Sequence, residues 1–163
     1  MQKITPFMWF NDKAEEAANF YVSIFKDSKI ESITRYGEAG PGPAGSVMMV
    51  EFQLEGAEFM ALNGFNSSEA ADTAVPGAIA LYVDCATQSE VDALWDKLSA
   101  GGEILQCGWL RDKYGFSWNI VPAGLREVLS GDDEERSERA MKEMLRMQKL
   151  DIDRLREVYA GGR

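Results

Sequence analysis

The run Ile4 to Phe10 is apolar and strand-like, and after Asn11-Asp12 the spacing changes, with Ala14, Ala17, Ala18, Tyr21, Ile24 and Phe25 recurring at intervals of three and four. That change predicts a strand followed by an amphipathic helix. Asp12 with Glu15 predicts a capping box at the helix start. Three further strand-like runs follow, Ile30 to Tyr36, Ser46 to Leu54 and Glu58 to Leu62, with Gly56 marking the turn between the last two. The same order then recurs. Ala78 to Val83 is a strand, Thr87 with Glu90 repeats the capping box, and Val91, Leu94, Trp95 and Leu98 form a buried helical stripe that Gly101-Gly102 ends. Glu103 to Leu110 and Phe116 to Val121 are the strands of this second half, joined by a turn at Asp112-Lys113-Tyr114-Gly115. Two βαββ(β) modules placed side by side follow, an α+β fold with curved antiparallel sheets.

The predicted organisation is a first module over 1–64, a polar, mobile linker over 65–77, a second module over 78–124 and a helical extension over 125–163. Gly37 to Gly45 (GEAGPGPAG) is a hairpin connection rather than a phosphate cradle: Pro41 and Pro43 lack the amide donors a cradle uses, and no helix follows. In the extension, Met141, Met144, Leu145, Ile152, Leu155 and Tyr159 form an apolar face, which must dock on its own module or across a dimer.

Composition narrows the chemistry. Of 163 residues 45% are hydrophobic, ordinary for a globular chain. The 17 basic and 27 acidic residues give a net charge of −10, which disfavours nucleic acid and anionic membranes as partners. There is no histidine. The commonest general base, the commonest metal ligand and every histidine-activated nucleophile are therefore missing, which leaves carboxylates, Tyr, Cys or Lys. Cys85 and Cys107 form no CxxC pair and read as reduced, buried thiols. With no signal-like start and no long apolar stretch, a cytoplasmic protein is expected.

The stretches ITPFMWFNDKAEEAANFYVSIFKDSKI, RYGEAGPGPAG and above all QCGWLRDKYGFSWNIVP resemble the PhnB-like branch of the glyoxalase/bleomycin-resistance, or vicinal oxygen chelate, superfamily. The branch often bears the label 3-demethylubiquinone-9 3-methyltransferase. The resemblance spans Met1 to Gly161 apart from Phe65 to Gly77, where related chains tend to carry a shorter turn. It implies paired βαβββ modules of the glyoxalase/bleomycin-resistance/dioxygenase type with C-terminal helices, forming a half-barrel cup usually completed in a homodimer. The methyltransferase label finds no support in the residues, since the first strand runs into Asn11-Asp12-Lys13 without the glycine-rich turn of a Rossmann-type cofactor site. The positions at which metal-using relatives carry His, Gln or Glu correspond to Thr5, Met60, Ala78 and Asn119. That set does not suit an oxygen-chelated divalent ion, so neither a metal nor another cofactor is expected.

Strand alternation selects what lines the cup. Phe7 and Trp9 share a face with Thr5; Tyr82 shares one with Ala78; and Met49, Glu51 and Gln53 oppose the apolar set Met48, Val50, Phe52 and Leu54. The expected ligand-binding residues are Phe7, Trp9, Met60, Asn63, Tyr82, Trp109 and Asn119, around a small apolar or aromatic molecule. Glu51 is the candidate catalytic residue, either a pocket carboxylate or one that is solvated or paired with Arg35 or Arg111. Three functions remain open at this point: a metal-free small-molecule-binding homodimer without an assigned reaction, a metal-independent isomerase or lyase using Glu51 as general base, and an antibiotic-sequestering protein.

Overall fold

The computed structural model describes residues 5–38, 42–64, 80–129 and 133–162, so the expected linker over 65–77 and Ala78 lie outside the described residues. The chain divides into two units, Met1–Thr73 and Ala74–Arg163.

The first unit contains β1 (Phe7–Phe10), α1 (Ala14–Ile24), β2 (Lys29–Arg35), β3 (Val47–Leu54) and β4 (Ala57–Asn63), in the sheet order β1-β4-β3-β2. β2 and β4 pair antiparallel with β3, whereas β1 pairs parallel with β4. The expectation of antiparallel sheets is corrected at this pair. Because α1 carries the chain back to the end where β1 began, β2 runs with β1, β3 against it and β4 with it again. Glu55 and Gly56 join β3 to β4 with φ of 49° and 81°, and Leu54 pairs with Ala57 across them. Two successive positive φ angles are the signature of the tight hairpin whose twist matches that of its strands.

One sheet face carries Met8, Phe10, Val50, Phe52, Leu54, Phe59 and Ala61, all buried, and α1 covers it with Ala14, Ala17, Ala18 and Tyr21. Small alanines let the helix approach closely, and Tyr21 stacks on Phe52 at 6.5 Å between centroids. The capping box expected from Asp12 and Glu15 does not form. Lys13 is the N-cap without a side-chain cap, and the Ala14 amide donates instead to Asn63 Oδ1 on β4 at 2.8 Å.

The second unit repeats the plan with β5 (Leu81–Cys85), α2 (Gln88–Ser99), β6 (Glu103–Ile104), β7 (Trp109–Arg111) and β8 (Ser117–Pro122), in the order β5-β8-β7-β6 with β5 parallel to β8. Here the capping box is present: the Glu90 amide donates to Thr87 Oγ1 at 3.2 Å and Glu90 Oε2 accepts from the Ala86 amide at 2.8 Å. The strand expected over Glu103 to Leu110 is broken, because Cys107 and Gly108 adopt φ of 58° and 79°. Asp112 builds the turn before β8. Its Oδ1 accepts from the Tyr114 and Phe116 amides at 2.9 and 3.1 Å, and its Oδ2 accepts from Trp118 Nε1 at 2.8 Å.

Three helices complete this unit, α3 (Leu125–Leu129), α4 (Glu134–Met144) and α5 (Ile152–Tyr159). Val128, Ala140, Ile152 and Leu155 form their shared core, flanked by Met144, Met147 and Tyr159. The apolar face expected through Met141 and Leu145 is corrected, since both side chains are exposed. α4 turns Ser137 and Ala140 inward, and Met141 and its C-cap Leu145, one helical turn apart, lie on the uncovered side instead.

The segment between α4 and α5 docks on the second unit mainly through backbone. The Cys107 and Gly108 amides donate to Met147 O and Gln148 O at 2.8 and 2.7 Å. Gln88 of α2 grips the next stretch, its Nε2 donating to Leu150 O at 2.9 Å and its Oε1 accepting from the Ile152 amide at 3.0 Å. Leu150 is buried against Gly108, where an added Cβ would come within 2.9 Å of Leu150 Cδ1. Lys149 pairs with Asp92 of α2 at 2.8 Å. Among the described residues no helix is long and apolar enough to cross a membrane.

Candidate functional site

The face of the first sheet opposite α1 collects most of the candidates. Register sets Phe7 beside Met60, Met60 beside Glu51 and Glu51 beside Ser32, with Trp9, Leu62, Met49 and Thr34 in the next row. Neighbouring strands lie about 4.8 Å apart, so each row is a contiguous strip of side chains. Phe7 and Trp9 are 55% and 52% exposed, whereas Met49, Glu51, Met60 and Leu62 are half-buried. The result is an apolar, aromatic-edged surface with one carboxylate near its middle.

Glu51 Oε2 accepts a hydrogen bond from Ser32 Oγ at 2.6 Å. Of the two arginines expected as partners, Arg35 of this unit donates instead to Gly45 O at 3.1 Å, and Arg111 pairs with Glu103 within the second unit at 2.9 Å. Among the described residues Glu51 has no ion pair. Ser32 is the site residue that the strand pattern misses. Only the β2–β3 register, which shifts between Ile30 and Ser32, places it opposite Glu51.

Trp9 is held in place by Gly64. A Cβ on Gly64 would fall 2.0 Å from Trp9 Nε1, so the indole lies directly against the Gly64 backbone. Asn63 is placed differently from its fellow candidates. It pairs with Phe10 on the α1 side of the sheet and is buried, with Oδ1 taken by the Ala14 amide and Nδ2 donating to Val47 O at 3.1 Å. The Tyr36 hydroxyl donates to its backbone carbonyl. Its polar atoms hold α1 and β4 together and are turned away from the open face.

The second sheet offers the equivalent row, Tyr82 beside Asn119 beside Trp109. Tyr82 and Trp109 are 65% and 39% exposed, while Asn119 between them is buried and donates through Nδ2 to Cys107 O at 3.2 Å. Desolvation of the Tyr82 hydroxyl, and after it the nearby Asp84 carboxylate, raises its pKa above the ordinary tyrosine value, so near neutrality it is a hydroxyl donor rather than a phenolate. Burial pushes the Cys85 thiol up to about 12. The Cys107 thiol, expected to be buried, is only half-buried, and its Sγ lies 3.6 Å from Met144 O. Trp118 and Ile120, as alternation requires, lie on the α2 side and are buried.

Among the described residues no cluster of three or more His, Cys, Asp or Glu is arranged to hold a metal ion. Of the positions that match the metal ligands of relatives, Ala78 lies outside the described residues; Met60 offers a soft thioether and Asn119 an amide already bonded to backbone.

Residues 2–121 match the 3-demethylubiquinone-9 3-methyltransferase family. Among solved structures, the PhnB protein of Bacillus cereus, which carries the same methyltransferase description, is 44% identical, with a TM-score of 0.67 over 75% of this chain and 100% of that one. A protein from Pseudomonas aeruginosa is 19% identical, with a TM-score of 0.57 over 75% of this chain and 99% of that one. The fosfomycin resistance protein FosX from Listeria monocytogenes is 13% identical, with a TM-score of 0.50 over 78% of this chain and 97% of that one, and at that distance the likeness is one of fold. No curated protein matches. The family match ends at residue 121, so the resemblance read from the sequence through Gly161 is shortened and α3 to α5 lie beyond it. By its sequence match and by its similarity to the PhnB protein, the chain, with its two βαβββ sheets, belongs to the PhnB-like, 3-demethylubiquinone-9 3-methyltransferase family.

Proposed function

We propose that the protein is a metal-independent, cytoplasmic homodimer that binds a small apolar or aromatic molecule on its open sheet faces. The observation that carries this reading is the row Phe7–Met60–Glu51, flanked by Trp9, in which large apolar side chains stay exposed on one face while the opposite face is fully packed. A contiguous exposed apolar patch of this kind is a binding surface far more often than an idle one. Tyr82 and Trp109 supply the corresponding surface of the second unit. Asn63 is left out of the binding set because its polar atoms are consumed inside the first unit.

Metal independence rests on the donor set, since Thr5, Met60 and Asn119 provide no carboxylate, imidazole or thiolate. Methyl transfer is not part of the reading: both sheets are largely antiparallel, and the β1–α1 connection has no glycine-rich turn for a cofactor's phosphate or carboxylate. Native mass spectrometry of the protein as purified tests the binding reading directly. The expected result is a dimer carrying a co-purified small molecule, released by Trp9→Ala. A monomer that binds no hydrophobic probe overturns it. Nickel, zinc and manganese at micromolar concentration are expected to leave the melting temperature unchanged, and a chelator-reversible rise refutes metal independence.

One observation favours a second reading, an isomerase or lyase with Glu51 as general base. Its carboxylate is half-buried, oriented by Ser32 and without an arginine partner among the described residues, which is how a base beside an apolar substrate is held. The ligand recovered above, incubated in deuterium oxide, is expected to exchange a proton next to a carbonyl in the wild type and not in Glu51→Gln. Equal exchange in both excludes Glu51 as the base.

A further inference from the structure

We infer that the ligand of the first unit's open face carries a cationic nitrogen, a protonated amine or an amidinium, attached to a flat apolar body, with Glu51 as its counter-ion. The inference rests on the proposal that this face is a binding surface and adds the chemical class of what it holds. A carboxylate is an acceptor with about four lone-pair sites and no donor of its own. At Glu51 the Ser32 hydroxyl fills one of them, and among the described residues no lysine, arginine or backbone amide fills the others. The surroundings compensate little: Met60, Met49, Phe7 and Leu62 donate nothing, and among the described residues the polar side chains of the adjoining rows, Thr34, Gln53 and Lys29, make no hydrogen bond to it, Lys29 pairing with Glu31 at 2.9 Å instead. A half-buried charge set in apolar side chains is costly until it meets an opposite charge that also hydrogen-bonds.

The aromatic edge fits the same ligand. Phe7 lies two strands from Glu51 in the same row, and Trp9 lies in the next row with its indole fixed against Gly64. A flat body resting on these rings places a nitrogen on a short arm over Met60 and within reach of the carboxylate, and ring faces themselves attract cations. The chain's net charge of −10, with no histidine, draws cations toward the protein and repels anionic ligands. An anion or a purely neutral hydrocarbon would leave Glu51 uncompensated.

Two probes of equal shape separate the possibilities, 2-naphthylmethylamine, protonated at neutral pH, and the neutral 2-naphthylmethanol. Titration calorimetry on the wild-type protein is expected to show the amine binding about 10- to 100-fold more tightly, the range that a hydrogen bond to a charged group supplies. That preference should weaken with added salt. In Glu51→Gln it should vanish, and in Glu51→Asp it should persist. Because Glu51→Gln alters the overall charge by one unit only, a preference surviving it would assign cation selection to the general field and overturn the inference. Equal affinities in the wild type overturn it as well but leave the binding face standing. If neither probe binds, the binding face and the inference fall together. Melting curves of both variants establish that the fold is retained. Should Glu51→Gln fail to fold, Glu51→Asp decides the matter: a preference for the amine kept there supports the inference, and its loss overturns it.

Discussion

Replacing Gln88 tests whether the C-terminal extension is an integral part of the second unit. This residue begins α2, and its amide bonds two backbone groups of the extension, Leu150 O and the Ile152 amide, at 2.9 and 3.0 Å. The amide's orientation is dictated by those partners, because a carbonyl only accepts and an N–H only donates. Gln88→Ala removes both bonds and strands one backbone group on each of two buried residues. At about 1 kcal/mol per lost bond plus the desolvation of what is left unpaired, the cost is about 2–3 kcal/mol. For a chain of this size that corresponds to a fall in melting temperature of about 4–12 °C. Trypsin provides the second readout, since Arg146 and Lys149 sit in the docked segment and should be cut faster once it is released. Gln88→Glu sharpens the test. It keeps the acceptor for Ile152 but turns the other oxygen toward Leu150 O and Asp92, so the introduced carboxyl has a folded-state pKa above its unfolded value of about 4.3. A group shifted in that direction is relatively stabilising below the unfolded pKa and loses that contribution as pH rises through the folded pKa. Gln88→Glu should therefore approach the wild type near pH 4 and fall behind it at pH 7, whereas the deficit of Gln88→Ala should vary little with pH. If Gln88→Ala melts within about 1 °C of the wild type, as an ordinary surface change does, and is cut no faster by trypsin, the extension is not held as described.

Asp112→Ala, which removes the acceptor of two turn amides and of Trp118 Nε1, should destabilise by about 3 kcal/mol in urea denaturation, and Asp112→Asn by less. Gly64→Ala should displace the Trp9 indole and change the tryptophan emission while the far-ultraviolet circular dichroism stays constant. Cys85, with its thiol pushed up to about 12 and fully buried, should resist a thiol reagent at pH 7 until the protein is unfolded, and labelling of native Cys85 within minutes would contradict that burial. The Asp92 pKa is lowered by its hydrogen bonds from Lys149 and Gln88, so its contribution to docking is complete above the ordinary carboxylate range and is lost as pH falls through the lower folded value. Release of the extension, read by cleavage with pepsin, which works in acid, should accordingly increase as pH falls, and Asp92→Asn should flatten that dependence.

Alternation and helical spacing are enough to read the repeat, the strand faces and the core of both units, because those patterns record local burial. Asp12 shows where local reading stops. It has the spacing of a cap, yet α1 begins one residue past Lys13 with its first amide bonded to Asn63, a partner 49 residues away that only the sheet register brings near. Ser32 is invisible to local reading for the same reason, its meaning lying in the strand opposite. The stretch WLRDKYGFSW, in which the family resemblance is strongest, is explained by Asp112 building a turn and anchoring Trp118, so its specificity concerns architecture rather than chemistry. The stripe through Met141 and Leu145 misleads because helical spacing shows that two residues share a face but not that the face is covered, and α4 packs through Ser137 and Ala140 instead.

The unequal caps of α1 and α2 set an order of events during synthesis. Residues 86–90 contain everything the start of α2 requires, so this helix can nucleate as soon as it leaves the ribosome. The start of α1 must wait for Asn63, and the nascent chain must close a loop of 49 residues before the Ala14 amide finds its acceptor. The half that is made first thus carries the helix that is completed by a long-range contact, and in the interval its apolar stripe is exposed to whatever meets the growing chain. Isolated peptides should reflect the difference: one spanning 84–101 should show more helix by circular dichroism than one spanning 11–27, and Asn63→Ala should slow refolding of the first unit more than Thr87→Ala slows that of the second.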